Sequence, residues 1–463
     1  MRTFETLIIL FDLPLLVWKI TGQSAPKWLN GLAVGALLIV AIHLVVERLR
    51  WQMIPAYFVS IFAGADYLIA PLSHGRIEVL GGGVLLALLS GSAALAIVLP
   101  VFALPKPTGI HSIGTAIRQW TIQTQFPGMR SELPRKLAVQ FWYPSEVKTG
   151  RRSPYRSDND AQGFKSHLRL IKTHSFLNVP LSSSSNKFPI VLFSPGWKGH
   201  LTQNTAQFEM LASHGFVVLS IEHPPAQNLP VEFDASIEEN LRCYPEEAKL
   251  RAQDMSFVLD QIEQINNSDS DRLFTGSLDL SRVGMFGYSF GGAVTMETCW
   301  RDRRLKAGIN MDGMLFGESA DLGVEQPFLF MSSDGDLPTE KDLQCPDLRR
   351  RVHMRALDTD IKRIRKSLAR YGGYYMVVEG MSHSNYSDRP LYSPLKKLTH
   401  AGSIETRKSM ALVNDYMLAF FEQHLNGKTQ PLLADKSAPY PEVKFDWHPV
   451  PCAKQEPVAC VSA

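Results

Sequence analysis

Val283-Gly284-Met285-Phe286-Gly287-Tyr288-Ser289-Phe290-Gly291-Gly292-Ala293-Val294 is the stretch on which the reading of this chain turns. An apolar, β-prone run breaks into G-x-S-x-G and then becomes helical, which is the pattern of a nucleophile elbow. Such a turn holds its serine in a strained backbone conformation that lifts the hydroxyl off the sheet edge. Only glycine fits where strand and helix crowd around it. Ser289 is therefore the candidate nucleophile. The pentapeptide alone also fits a glycine-rich turn with a bystander serine, so the weight lies in the strand before it and the helix after it.

Working outward, short apolar runs alternate with helical patterns. Residues 189–193 and 216–221 read as buried strands, as do 305–311, 328–331 and 374–378. Between them, Phe208, Leu211 and Ala212 share one helical face, with Gly215 placed to end the helix. Ala248, Ala252, Met255, Val258, Leu259 and Ile262 recur at helical spacing, and Met410, Val413, Met417 and Phe420 form a later apolar stripe. This alternation predicts an α/β architecture, a mainly parallel sheet covered by helices on both faces. Residues 146–187 are basic, serine-rich and irregular, a lid or a long surface insertion. The stretch from Gly427 is proline-rich and reads as a surface tail.

The first hundred residues differ in kind. Four apolar runs, 7–20, 32–46, 54–72 and 79–104, follow one another, and the last two reach the roughly 20 residues that cross a bilayer. A single cleavable signal cannot explain several runs in succession. The expectation is an all-α, multi-span membrane domain of about four helices at 1–105, a catalytic domain at 106–426 and a tail at 427–463. Arg2, Arg48, Arg50 and Lys106 face Lys19, Lys27 and Arg76 across the spans, a balance that assigns the catalytic domain to neither side of the cell membrane. Asp12, His43 and Asp66 lie in or near the spans, and they read as interhelical hydrogen-bond or snorkelling groups.

The 463 residues carry 48 basic and 45 acidic side chains, net +3, which excludes an electrostatic case for nucleic acid. Five cysteines lack metal-ligand or C-x-x-C spacing, so neither zinc nor a redox dithiol is indicated. Cys452 and Cys460 are the pair that an oxidising compartment would bridge. Nothing in the sequence sets an oligomeric state.

A serine at its ordinary pKa needs a base within hydrogen-bond reach, itself oriented by a carboxylate. Catalytic groups on such a sheet project from loops at the carboxyl ends of strands, in the order serine, acid, histidine. His383, in Gly380-Met381-Ser382-His383-Ser384-Asn385-Tyr386 just beyond a strand, is the best base; His353, His400, His424 and His448 stand in charged, irregular or terminal stretches. For the acid, Asp312 ends the strand after the elbow, while Asp334 and Asp336 follow the next strand, and both places remain open. Backbone N–H groups of Phe290, the residue after the nucleophile, and of Trp197 are the candidate oxyanion donors.

Taken together, these blocks resemble the plasma-type (group II) platelet-activating factor acetylhydrolases and their bacterial relatives, within the α/β-hydrolase superfamily. The likeness spans about 108–388. It rests on Phe193-Ser194-Pro195-Gly196-Trp197, Ala212-Ser213-His214-Gly215-Phe216, Ile221-Glu222-His223, the elbow, Gly308-Ile309-Asn310-Met311-Asp312-Gly313 and His383. The resemblance implies an α/β-hydrolase fold, a Ser289-Asp312-His383 triad, and an oxyanion hole from Trp197 and Phe290. Two features depart from it: Pro195 stands where relatives often carry histidine, and the amino-terminal spans are foreign to the secreted form. The implied function is a membrane-anchored serine hydrolase of carboxylic esters, with short or oxidised acyl chains of phospholipids as substrate, membrane lipid as partner, and no metal or organic cofactor. Alternatives are a catalytically silent binding or sensing module, and a peptidase or acyltransferase on the same scaffold.

Overall fold

The amino-terminal apolar runs form helices α1 (Thr3–Thr21), α2 (Trp28–Val46), α3 (Ile54–Leu68) and α4 (Arg76–Val98). The structure is a computed structural model that describes residues 1–21, 26–68, 76–122, 135–157, 160–183, 186–224, 237–434 and 439–449. Cys452 and Cys460 lie outside these residues. The chain divides into two units: Met1–Leu104 with Pro154–Thr173 and Leu391–Thr399, and Pro105–Ser153 with His174–Pro390 and His400–Ala463.

In the first unit, two helical stretches, Trp28–Val46 and Leu80–Val98, are long and apolar enough to cross a membrane, with mean hydropathies of 2.4 and 2.0. The other two fall short of the four-span expectation. Helix α1 carries Asp12 and Pro14, and the described part of α3 has 15 residues where about 20 are needed. The unit's exterior is apolar, with Leu38, Val45, Phe58, Phe62 and Leu80 exposed, while its interior sets Glu5, Asp12, His43, Arg50 and Gln52 among buried apolar residues such as Ile8, Leu15, Ala33 and Met53. Several of these polar groups pair with one another across the unit. Ser60 donates to Asp12 (2.6 Å), His43 Nε2 pairs with the Tyr57 hydroxyl (2.6 Å), Lys19 pairs with Asp66, and Arg50 reaches Glu5 at 3.0 Å. Part of the irregular 146–187 stretch belongs here, with the Trp51 indole donating to the Phe164 carbonyl at 3.2 Å.

The described residues form one sheet of eleven strands, which belongs to the second unit except for Pro154 of β3 and Lys172 and Thr173 of β4. The strands are β1 (Ser112–Ile122), β2 (Arg135–Ser145), β3 (Arg152–Pro154), β4 (Lys172–Leu177), β5 (Phe188–Ser194) and β6 (Val217–Glu222). They continue with β7 (Leu278–Tyr288), β8 (Leu305–Met311), β9 (Phe328–Ser333), β10 (Gly373–Val378) and β11 (Val443–His448). Their order is β11-β10-β9-β8-β7-β5-β6-β2-β1-β4-β3. Strands β6, β5, β7, β8, β9 and β10 run parallel. Helices α5 (Thr205–Ser213), α6 (Ile237–Asn267) and α7 (Phe290–Arg301) connect them in turn, followed by the one-turn α8 (Ser319–Leu322) and α9 (Glu340–Leu343) and the long α10 (Leu348–Tyr371). After β10 come α11 (Lys396–Thr399), α12 (Thr406–Asn426) and α13 (Pro431–Ala434).

Alternation along β5 shows why the central strands read as unbroken apolar runs. Ile190 and Leu192 join one core with Met255, Val258 and Ile262 of α6; Val191 and Phe193 join the other with Phe208 of α5 and Phe420 of α12. Both faces are covered, so both sets must be apolar.

The sheet is less uniformly parallel than the sequence suggests. Strand β2 runs antiparallel to β1 and β6, and β11 runs antiparallel to β10. The second of these corrects the expected tail, because residues 443–448 add an edge strand. Their alternation Val-Lys-Phe-Asp-Trp-His is the period-two signal of a half-buried strand, and Phe445 packs on Tyr374 (5.8 Å) and Tyr416 (5.5 Å).

Candidate active site

Ser289 lies between β7 and α7 with φ 57° and ψ −126°, the strained geometry that the elbow pattern requires. Two backbone bonds hold it there, from Ser289 N–H to Met311 O (2.9 Å) and from Gly292 N–H to Ser289 O (2.8 Å). The flanking glycines are dictated by crowding. A Cβ on Gly287 would come within 1.9 Å of the Gly291 carbonyl oxygen, and one on Gly291 within 1.9 Å of the Ser194 carbonyl oxygen.

His383 opens a short 3-10 turn (His383–Tyr386) beyond β10. Its Nε2 lies 2.8 Å from Ser289 Oγ and its Nδ1 2.7 Å from Asp312 Oδ2. An ionised carboxylate only accepts, so Nδ1 carries the proton toward Asp312 and Nε2 is left to accept from the serine hydroxyl. The Tyr288 ring packs against the imidazole with centroids 4.9 Å apart.

The two places left open for the acid separate cleanly. Asp312, at the end of β8 with φ 55°, reaches the histidine and is steadied by Ser333, whose N–H and hydroxyl donate to its Oδ1 at 2.8 and 3.0 Å. Asp334 instead accepts the Gly380 N–H (2.9 Å), which ties β9 to the loop that carries His383. The Asp336 side chain lies outside the described structure. Of the other histidines, His353 lies on α10, His424 packs on Tyr374 from α12, and His448 is on β11.

Trp197 sits in the loop after β5, where its ring meets Phe290 edge-on at 5.2 Å. Gly196 directs its own N–H to Gln203 (2.9 Å), and a Cβ on it would lie 3.1 Å from the Ser289 Cβ. Among the described residues, neither Trp197 N–H nor Phe290 N–H has a protein acceptor. Both residues line a cavity of about 430 Å³ that is also lined by Ser289, Asp312 and His383.

Much of the cavity wall comes from a helix that the sequence reading passed over. His353, Leu357, Asp360, Ile361 and Ile364 project into it from α10, facing Tyr244, Met314 and Phe316. Their spacing was the available signal, hidden in a helix whose other positions include Arg349, Arg350, Arg351, Arg355, Arg365 and Lys366. Asp360 anchors the wall by accepting Leu315 N–H (2.9 Å) and pairing with Arg363 (3.2 Å). Burial raises its carboxyl to about 6 against those two partners.

With this geometry in view, comparison with known proteins is decisive. The family model described as platelet-activating factor acetylhydrolase, isoform II, matches residues 161–228 and 231–436. The chain belongs to this family. A platelet-activating factor acetylhydrolase of Cavia porcellus is 27% identical over 369 residues, covering 70% of this chain and 78% of that one. A probable 1-alkyl-2-acetylglycerophosphocholine esterase of Arthroderma benhamiae is 23% identical over 411 residues, 78% of this chain and 98% of its own. In fold, the chain matches the ferulic acid esterase from Streptomyces cinnamoneus with a TM-score of 0.59 at 24% identity, over 75% of this chain and 99% of that one. Membership of the acetylhydrolase family makes the chain a serine carboxylic-ester hydrolase in kind.

Two predictions follow from the packing. Gly287→Ala is expected to destabilise the catalytic unit by about 1–3 kcal/mol or more, as overpacking does, read as a lowered thermal midpoint; an unchanged midpoint would contradict the crowding. For Asp360, the folded pKa lies above the unfolded value, so its contribution is fully present below about pH 4 and lost as pH rises through about 6. Asp360→Asn should therefore gain stability relative to wild type between pH 4 and 7, and a difference that stays constant with pH would overturn this.

Proposed function

We propose that this protein is a membrane-anchored serine esterase that removes acyl groups from phospholipids through an acyl-enzyme. Ser289 is the nucleophile, His383 the general base and then acid, and Asp312 the carboxylate that orients the imidazole. The observation that carries the reading is the unbroken hydrogen-bond line of 2.8 and 2.7 Å from Ser289 through His383 to Asp312, at the edge of an open cavity.

In the acylation step, Ser289 Oγ attacks the ester carbonyl while its proton passes to His383 Nε2. The developing oxyanion accepts from Trp197 and Phe290 N–H. The carbonyl then re-forms, the bond to the alkoxide breaks, and His383 returns the proton to the leaving oxygen. Water repeats the sequence on the acyl-serine, and the proton bookkeeping closes on the free carboxylic acid.

The apolar wall supports an acyl substrate. Trp197, Phe290, Met314, Leu357 and Ile361 make most of the lining apolar beside His353 and Asp360, and 430 Å³ exceeds the room an acetyl group needs, at about 30 Å³ per water-sized group. Short or oxidised chains fit that space. The apolar exterior of the first unit supports the anchor, since exposed Val45 and Leu80 are costly in water and suited to lipid tails. On this reading 1–105 is the membrane domain and the substrate is drawn from the surrounding bilayer.

A fluorophosphonate probe should label wild type and not Ser289→Ala, and equal labelling of both would refute the nucleophile. Applied to intact cells in membrane-impermeant form, the same probe reads which side the catalytic unit faces. Asp312→Asn should cost about 10³- to 10⁴-fold in kcat, as loss of the orienting carboxylate does in serine hydrolases, whereas Asp334→Asn should cost far less; the reverse order would move the acid one strand along.

A further inference from the structure

Behind the oxyanion loop lies a second Ser-His-Asp line. Ser194, the last residue of β5, has its hydroxyl 3.0 Å from His223 Nε2, and His223 Nδ1 lies 3.0 Å from Asp254 Oδ2. Arg135 closes the chain with two bonds to the Asp254 carboxylate, at 2.8 and 3.0 Å. The Ser194 and Asp254 residues are 0% exposed and the His223 side chain 1%, so no substrate reaches this serine. Burial lowers the imidazole to about 4, against its bond to Asp254, and it is neutral at physiological pH. Neutral His223 thus has one arrangement: Nδ1–H donates to Asp254, and Nε2 accepts from the Ser194 hydroxyl.

The position of Ser194 gives this line its purpose. Three residues on is Trp197, and the Ser194 carbonyl lies against Gly291, next to Phe290. Ser194 therefore spaces the two backbone donors that face the cavity. Helix α6 reaches the same donors a second way. Arg251, three residues before Asp254, stacks over the Trp197 ring at 5.1 Å and the Phe290 ring at 4.9 Å, and is itself held by Glu247 at 2.7 Å.

We propose that His223 is a positioning residue for the oxyanion hole, acting through Ser194, with Asp254 and Arg251 of α6 as its fixed support. The inference rests on the esterase reading of Ser289. Hydrogen-bond donation to an oxyanion is steep in distance, so a loop that drifts by a fraction of an ångström loses transition-state binding while ground-state binding changes little.

The test uses the full chain in detergent, with p-nitrophenyl acetate as substrate, a trifluoromethyl ketone as transition-state analogue, and fluorophosphonate titration to count competent sites. Per titrated site, Ser194→Ala and His223→Phe should each lower kcat about 10- to 100-fold, within the range for a misplaced donor. The ketone should weaken by the same factor, while KM stays within about 3-fold, the split expected of an interaction made in the transition state. The double variant should be no worse than the single ones, because both break one line. Should kcat per site and ketone affinity stay within about 2-fold of wild type in both variants, whatever happens to the thermal midpoint, the positioning role is wrong. Ser289→Ala runs alongside: turnover surviving in it would refute the esterase reading itself, and not the bracing of the loop.

Discussion

Parallel register is the constraint on which the site depends. Tyr288 pairs with Met311 and Met311 with Met331, so β7 and β8 end at one level, while β9 runs two residues further to Ser333, which pairs with Val378 at the end of β10. Ser289, Asp312 and the His383 loop each leave the sheet at that edge. A slip of one residue would turn every strand side chain to the opposite face and bring the wrong group to the top. Such a slip would also exchange the side chains that the two faces place in different cores, as Ile190 and Leu192 join one and Val191 and Phe193 the other.

Crowding then converts register into position. Ser289 accepts its strained backbone because glycines at 287 and 291 let the helix, the strand and the β5 loop touch. The strain is of the order of 1–3 kcal/mol, small beside the burial that the sheet and its helices share. What remains is to hold three loops still. Ser333 steadies Asp312, Asp334 ties down the His383 loop, and α6 braces the loop bearing Trp197. Polar side chains buried beneath the site serve it without meeting substrate.

The parts legible in the sequence were those with a local signature. The elbow could be read because glycines, serine and apolar strand lie in one dozen residues, and His383 because it follows a strand directly. The choice between Asp312 and Asp334 was open because both end neighbouring strands, and only side-chain direction separates them. Helix α10 stayed hidden since its apolar face is a minority among arginines and lysines, and its function depends on which face meets the cavity. Strand β11 was masked by the prolines on either side of it, although its alternation was in plain view. In the first unit, hydropathy identified the apolar runs but not their buried partners, since a pair such as Asp12 and Ser60 is separated by 48 residues.

The two Ser-His-Asp lines show what hydrogen-bond geometry does and does not confer. Both are linear, both place Nε2 at a serine and Nδ1 at an aspartate, and their distances differ by only a few tenths of an ångström. Yet Ser194 sits in extended strand with its surroundings sealed, while Ser289 stands on a left-handed turn at the edge of a cavity. The His383 side chain is 45% exposed and that of His223 1%. A sealed imidazole has nowhere to deliver a proton except back to its own partner, so the line it makes is a strut. On the proposed mechanism the open one exchanges its proton with a leaving group, and the backbone N–H groups of Trp197 and Phe290 receive the charge. Access and adjacent N–H groups, rather than the order of three residues, separate the line proposed to do chemistry from the one proposed to brace it.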